Sequence, residues 1–122
     1  MLSFDEAALL LDALADELPA ALLHGLNGGI SLLSDEKIHP DAVSDDLYIM
    51  GEYCVSQIGR HIALYYGSFA RVYRNASAEV WRAQLRAVLL HELTHHTENR
   101  AGERGLERKD EENLRRYHDQ NE

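Results

Sequence analysis

The sequence contains 122 residues, of which 45% are hydrophobic and 27% are charged, a balance typical of one folded domain rather than of a disordered chain. Its 21 Asp and Glu residues outnumber 12 Lys and Arg residues, which argues against the broad basic face that nucleic-acid binding requires. A single cysteine, Cys54, leaves no intramolecular disulfide, and no apolar run approaches the roughly 20 residues of a membrane span. We therefore predict one cytoplasmic domain over residues 1–122, without nucleic-acid or membrane partners.

The N-terminal region predicts two helices. Ser3 and Glu6 fit a capping box, in which the side chain of each residue accepts a hydrogen bond from the backbone N–H of the other. Leucines follow at helical spacing, so a first helix is expected from about Ser3 to Glu17. Pro19 ends this helix and can open a short second helix through Leu23.

The middle of the chain predicts a small sheet. Residues 27–29, Asn-Gly-Gly, break the chain before residues 30–33, which are short enough for a strand. Residues 35–46 are polar, so a loop is expected there. Residues 47–55 and 60–66 are rich in aromatic and branched side chains around a short glycine-bearing turn, which predicts a β-hairpin.

The last long helix is predicted by its N-cap and its apolar stripe. Ser77 suits the N-cap position, and Glu79 places negative charge in the first turn, where the helix dipole favours it. Four apolar residues then form a stripe that we expect to pack on the sheet: Trp81, Leu85, Val88 and Leu89. Glycines interrupt this pattern after Asn99, and residues 107–117 favour another helix. Together these elements predict an α+β fold, with a small mixed sheet of about three or four strands packed against helices.

The hexapeptide HELTHH, residues 91–96, carries the chemistry of the chain. At about 100° per residue, His91 and His95 lie about 40° apart on the helix, so both imidazoles can reach one ion. Glu92 lies between this pair and the apolar stripe, where a general base for a metal-bound water has to be. The motif therefore predicts a Zn2+ site with His91 and His95 as ligands and Glu92 as the catalytic base.

The third ligand is not found at the short spacing of the long zincin motif. The positions three and six residues after His95 hold Glu98 and Ala101, where that motif has a glycine and then a histidine or aspartate. His96 faces partly away from the pair, so we give it no ligand role. Glu98 can orient a ligand from outside the coordination sphere.

A carboxylate beyond the glycines is expected to complete the site. A chain that turns back through Gly102 and Gly105 can present one acid to the ion, and a helix that starts near Asp110 leaves that residue at its N-terminal end. We predict Asp110 as the third ligand, with Glu111 as the runner-up. The acids available after Gly102 are Glu103, Glu107, Asp110, Glu111 and Glu112.

Four pieces of the chain carry a resemblance to a known family: residues 18–19, 50–53, 62–65 and 88–96. The sequence resembles the minimal zincin-like metallopeptidases, a bacterial family of small single-domain proteins. The resemblance implies an α+β fold and a zinc ion held by His91, His95 and an acidic residue after the motif helix, with Glu92 as the base. Members often keep a short His-x-x-Gly-x-x-Asp spacing, and this chain resembles a variant with a longer loop, residues 98–109, before the acid.

The preferred function is a zinc-dependent metallopeptidase that hydrolyses a peptide or protein substrate by metal-activated water, with Glu92 as general base. Residues 60–66 are expected at the edge of a substrate cleft beside the metal site, where a peptide could add to the sheet as a strand. An oxyanion donor is expected among Tyr65, Tyr66 and Tyr117. The alternative is a metal-binding module for interaction or sensing, with weak or lost hydrolysis, because so small a domain has little surface for a groove.

Overall fold

A computed structural model describes residues 1–42, 47–57 and 59–102. The helices and strands in these ranges follow one another in the order α1 (Phe4–Asp16), α2 (Ala20–Leu23), β1 (Gly29–Leu33), β2 (Lys37–Ile38), β3 (Tyr48–Ile49), β4 (Gly51–Ser56), β5 (Gly59–Tyr65), α3 (Tyr66–Val72) and α4 (Ala78–Gly102). This order confirms the predicted α+β class, with the hexapeptide on the long helix α4.

The larger sheet has three strands in the order β1-β5-β4. β1 runs parallel to β5, and β4 runs antiparallel to it. β5 is therefore the central strand, and the prediction that residues 60–66 lie at the edge of the cleft is wrong. The reason is that β1 returns from the N-terminal third of the chain to pair with β5, a crossover pairing that local sequence patterns do not show. Within the described ranges, β4 is left with a free edge.

The N-terminal helices form as predicted. The Ser3 hydroxyl accepts a hydrogen bond from the Glu6 N–H at 3.1 Å, and the Glu6 carboxylate accepts one from the Ser3 N–H at 3.0 Å. This capping box starts α1, which ends at Asp16, and Pro19 stands at the N-cap of α2.

Three short elements depart from the expectation. β2 lies inside the predicted polar loop of residues 35–46 and pairs antiparallel with β3, so the strand predicted over residues 47–55 divides at Met50. The third element, α3, follows β5 directly. The buried Ser68 hydroxyl accepts from the Lys37 N–H at 2.9 Å and donates to the Lys37 carbonyl at 3.3 Å, which holds β2 against α3. These elements depend on contacts between distant segments.

The core lies between α1, α4 and the sheet face that carries Ile62 and Leu64. The predicted stripe of α4 is confirmed, because Val88 packs against the core and the other three members are fully buried: Trp81, Leu85 and Leu89. Burial of large side chains on one face fixes the rotation of α4 about its axis. That rotation decides which motif residues face the sheet and which face solvent.

The helix α4 begins after Ser77, whose hydroxyl accepts from the Val80 N–H at 3.3 Å, and it runs to Gly102, the first of the glycines expected to interrupt the helical pattern. The helix predicted over residues 107–117 lies outside the described residues. In the part of the chain that the structure describes, no helix is both long enough and apolar enough to cross a membrane.

Candidate metal centre

The imidazoles of His91 and His95 face each other on the solvent side of α4. Their Nε2 atoms lie 3.2 Å apart, and both residues are exposed. Two imidazole nitrogens that bind one tetrahedral Zn2+ at about 2.0–2.1 Å stand about 3.3 Å from each other. The pair therefore fits the spacing of two adjacent ligand positions of a zinc ion.

The second ring nitrogen of His95 faces an acid. His95 Nδ1 lies 3.6 Å from Glu98 Oε2, one helical turn further along α4. A carboxylate near Nδ1 favours the tautomer that keeps the proton there, which leaves Nε2 free to bind a metal. This is the orienting position that the sequence suggested for Glu98.

Glu92 is buried on the sheet side of the histidine pair, with 7% of its surface exposed. Burial raises the pKa of its carboxyl group above the ordinary range, whereas His95, His91 and the backbone amide of Tyr53 oppose the rise. The charge of Glu52 on β4 adds to it. A carboxyl group with a raised pKa beside a metal position is better able to accept a proton and then return it than an ordinary surface carboxylate.

Gly51 allows β4 to approach α4 closely at this point. A Cβ atom at residue 51 would lie 2.8 Å from Val88 Cγ1, 3.3 Å from the Ala63 carbonyl oxygen and 3.6 Å from Glu92 Cγ. Val88 is β-branched and stiff on a helix, so it cannot easily turn away. The small residue at 51 therefore sets how near β4 comes to the turn of α4 that carries Glu92.

We expect Gly51→Ala to destabilise the protein by about 1–3 kcal/mol, because the added methyl group overpacks the contact with Val88. Urea unfolding of Gly51→Ala and wild type measures the cost, and the same pair in a Val88→Ala background supplies the control. The cost should shrink in that background. An equal loss of stability in both backgrounds would show that the added methyl group does not clash with Val88.

The strand β4 packs against α4 and keeps one edge free within the described ranges. The Met50 carbonyl accepts from the Tyr65 N–H at 2.9 Å. Hydrogen-bonded pairs alternate along an antiparallel ladder, so Glu52 also directs its backbone groups at β5, while Gly51 and Tyr53 direct theirs outward. The Tyr53 side chain and the position that a Cβ atom on Gly51 would occupy lie on the face that packs against α4. The outward backbone groups of these two residues therefore lie on the free edge of β4, in the part of the strand that packs against α4.

His96 turns away from the pair, into the protein. It is fully buried, and it contacts Tyr53 and the backbone of His24. Sequence reasoning gave it no ligand role and missed its internal contacts. The sequence feature that could have shown this burial is the position of His96 on the helix, about 100° from His95 and on the side of the apolar stripe.

The tyrosines predicted as oxyanion donors have other partners. The Tyr65 hydroxyl donates to Glu52 at 2.7 Å, and Lys37 forms an ion pair with the same carboxylate, whose pKa is lowered chiefly by that lysine. The Tyr66 hydroxyl donates to the Leu2 carbonyl at 2.6 Å, between α3 and the N-terminus. Tyr117 lies outside the described residues.

The predicted third ligand, Asp110, also lies outside the described residues, as do Glu103 and Glu111. Among residues 1–42, 47–57 and 59–102, no three His, Cys, Asp or Glu side chains form a group that could hold an ion. The two histidines therefore need a donor from elsewhere to complete a protein site of three ligands.

We expect Asp110→Ala to weaken zinc binding by orders of magnitude, because Asp110 is the predicted third protein ligand. Competition with a chromophoric chelator measures the affinity in the full chain, and Glu111→Ala is the matched comparison. If Asp110→Ala leaves the affinity unchanged, the ligand is Glu111 or Glu103.

Comparison with known proteins adds independent findings. A family model described as zincin-like metallopeptidase matches residues 47–116 of the chain. Among solved structures, a conserved hypothetical protein from Thermo thermophilus is 32% identical, with a TM-score of 0.71, over 83% of this chain and 99% of the other. A search of curated proteins found no significant match.

Proposed function

Because the chain belongs to the zincin-like metallopeptidase family, we propose that it is a zinc-dependent peptidase in which Glu92 is the general base. The observation that carries the proposal is the pair of Nε2 atoms 3.2 Å apart on His91 and His95, directly beside a buried carboxyl group. A zinc site that served only to stabilise the fold would have no need of a base at that position. We propose Asp110 as the third ligand, with Glu111 as the alternative.

Zinc, when bound, would supply a Lewis acid that lowers the pKa of water and polarises a carbonyl group. In the proposed reaction Glu92 accepts a proton from the attacking water and later delivers it to the leaving amine. Its burial against β4 holds the carboxyl group at the cleft rather than in bulk solvent. His91 and His95 hold the ion, and Glu98 orients His95.

The proposed substrate is a peptide or protein segment in an extended conformation. The outward backbone groups of Gly51 and Tyr53 on the free edge of β4 can pair with such a segment as an added strand. This pairing would lay a peptide bond beside the histidine pair. We also propose a cytoplasmic location, because a chain with one cysteine has no need of an oxidising compartment.

Metal content and peptide hydrolysis, measured on the untagged full chain, test the proposal. We expect about one equivalent of zinc per chain, cleavage of a mixed peptide library, loss of cleavage with a chelator and recovery on adding zinc. Cleavage products read by mass spectrometry would define the bond that is cut. A protein that holds zinc but cuts no peptide would support a metal-binding module instead, and one that binds no zinc would overturn both functions.

A further inference from the structure

His96 is the motif histidine that the proposed reaction does not use, yet its imidazole is fully buried. Nε2 lies 2.8 Å from the backbone carbonyl of His24, and Nδ1 lies 2.7 Å from the Tyr53 hydroxyl. Both polar atoms of the ring are therefore paired inside the protein. In a low-dielectric interior such pairs are costly to break, because each lost partner leaves a buried polar atom unsatisfied.

The chemistry of the partners fixes the direction of each hydrogen bond. A carbonyl oxygen can only accept, so Nε2 carries the proton and donates to His24. In the tautomer with its proton on Nε2, the ring accepts at Nδ1 and the Tyr53 hydroxyl donates to it, with the side-chain oxygen of Asn99 as a more distant partner at 3.5 Å. Burial raises the pKa of the Tyr53 hydroxyl, which keeps it protonated as this role requires.

These bonds join three segments of the fold at one side chain. His96 belongs to α4, Tyr53 belongs to β4, and His24 is the C-cap of α2. The rings of Tyr53 and His96 also pack together, with centroids 5.4 Å apart. The ring of His96 therefore connects β4 and the end of α2 to α4, the helix that carries His91 and His95.

β4 contacts α4 at two levels, one helical turn apart. The Tyr53 hydroxyl donates to His96, and Gly51 lies close to the side chain of Glu92. His91 and His95 lie on the solvent side of the same part of α4. A displacement of Tyr53 would therefore move the free edge of β4 relative to Glu92.

We propose that His96 and Tyr53 are positioning residues that fix the distance between β4 and the turn of α4 that carries His91, Glu92 and His95. The inference rests on the proposed peptidase function, because the groups held in place are the base and the metal pair. Displacements of about 1 Å can cost about 100-fold in rate. The hydrogen bond from Tyr53 to His96 is therefore expected to affect turnover more than it affects folding.

The test compares two tyrosine variants, each of which loses one hydroxyl group that contacts α4. Tyr53→Phe removes the bond to His96, and Tyr73→Phe removes a bond of 3.1 Å to Gln84, earlier on the same helix. We expect both variants to keep their zinc. Tyr53→Phe should lower kcat by about tenfold or more with little change in KM, and Tyr73→Phe should leave kcat unchanged.

Amide hydrogen exchange at Cys54, whose N–H the β4–β5 ladder directs at β5, gives a second readout on the metal-free full chain that needs neither metal nor activity. Exchange should be faster in Tyr53→Phe and unchanged in Tyr73→Phe. His96→Asn places an amide oxygen near the position of Nδ1 and should keep exchange slow, whereas His96→Leu should not.

Equal exchange rates and equal kcat in the two tyrosine variants would overturn the positioning role. A wild-type protein that cleaves no peptide would overturn the proposed function alone. In that case the exchange rates at Cys54 still decide whether Tyr53 and His96 hold β4 in place.

Discussion

Glu92→Gln is expected to keep its fold and its zinc and to lose about 10,000-fold in kcat. General acid–base catalysis contributes about 100-fold to 10,000-fold, and Glu92 is proposed to act twice in one turnover, first as base and then as acid. The amide of glutamine fills the same space beside Gly51 but cannot accept and return a proton. Steady-state kinetics on the cleaved library peptide, with zinc measured in the same samples, gives the comparison.

Glu79→Gln is the matched control, because Glu79 is an exposed acid in the first turn of the same helix. It should retain wild-type kcat. A Glu92→Gln protein that retains zinc and more than about a tenth of the wild-type rate would assign the base to another residue.

The same substitution should stabilise the metal-free protein near neutral pH. Burial raises the pKa of Glu92 above its ordinary value of 4.5. A carboxyl group whose pKa is higher in the folded state than in the unfolded state stabilises the fold at pH values below its pKa in the unfolded state. This stabilisation is lost as the pH rises through the pKa of the folded state. Glutamine does not ionise, so its Tm advantage should be near zero at about pH 4 and positive at about pH 8. A Tm difference between Glu92→Gln and wild type that does not change with pH would contradict the raised pKa of Glu92.

His91→Ala and His95→Ala are each expected to lower zinc affinity by about 100-fold or more. Apparent zinc-binding free energies of about 10–16 kcal/mol are shared among about four ligands, so one imidazole contributes about 3 kcal/mol. Because the two Nε2 atoms stand at the spacing of adjacent ligands, the two losses should be similar. Chelator competition measures both affinities.

His39→Ala provides the control for these variants. His39 accepts the backbone N–H of Asp41 at 3.0 Å, beside β2 and away from α4, and its loss should leave zinc affinity unchanged. A loss of zinc affinity in only one of the two variants, His91→Ala or His95→Ala, would contradict a site in which both histidines are ligands.

The parts of the fold that sequence reasoning predicted are those that depend on neighbouring residues. Ser3 and Glu6 cap α1 through atoms three residues apart, and the stripe from Trp81 to Leu89 repeats at the helical period. The pairing of His91 with His95 follows from the same period. Such patterns depend on distances along one helix, so one sequence contains them in full.

The parts that sequence reasoning missed depend on residues far apart in the chain. β5 became the central strand through pairing with β1, and the buried role of His96 depends on Tyr53 and His24. Residues 35–46 were assigned to a loop because nothing local showed that Lys37 would meet Ser68. The predicted third ligand, Asp110, lies outside the described residues and stays a prediction.

The parallel pairing of β1 with β5 also bears on how the protein folds. Gly29 pairs with His61, about thirty residues later, whereas β4 ends at Ser56 and β5 begins at Gly59, its pairing partner. Loop-closure entropy favours early formation of the local hairpin, so docking of β1 is expected to be the later and slower event. The free edge of β4 would then exist before the sheet is complete, and sequence changes in β1 would act mainly on the rate at which the finished protein accumulates.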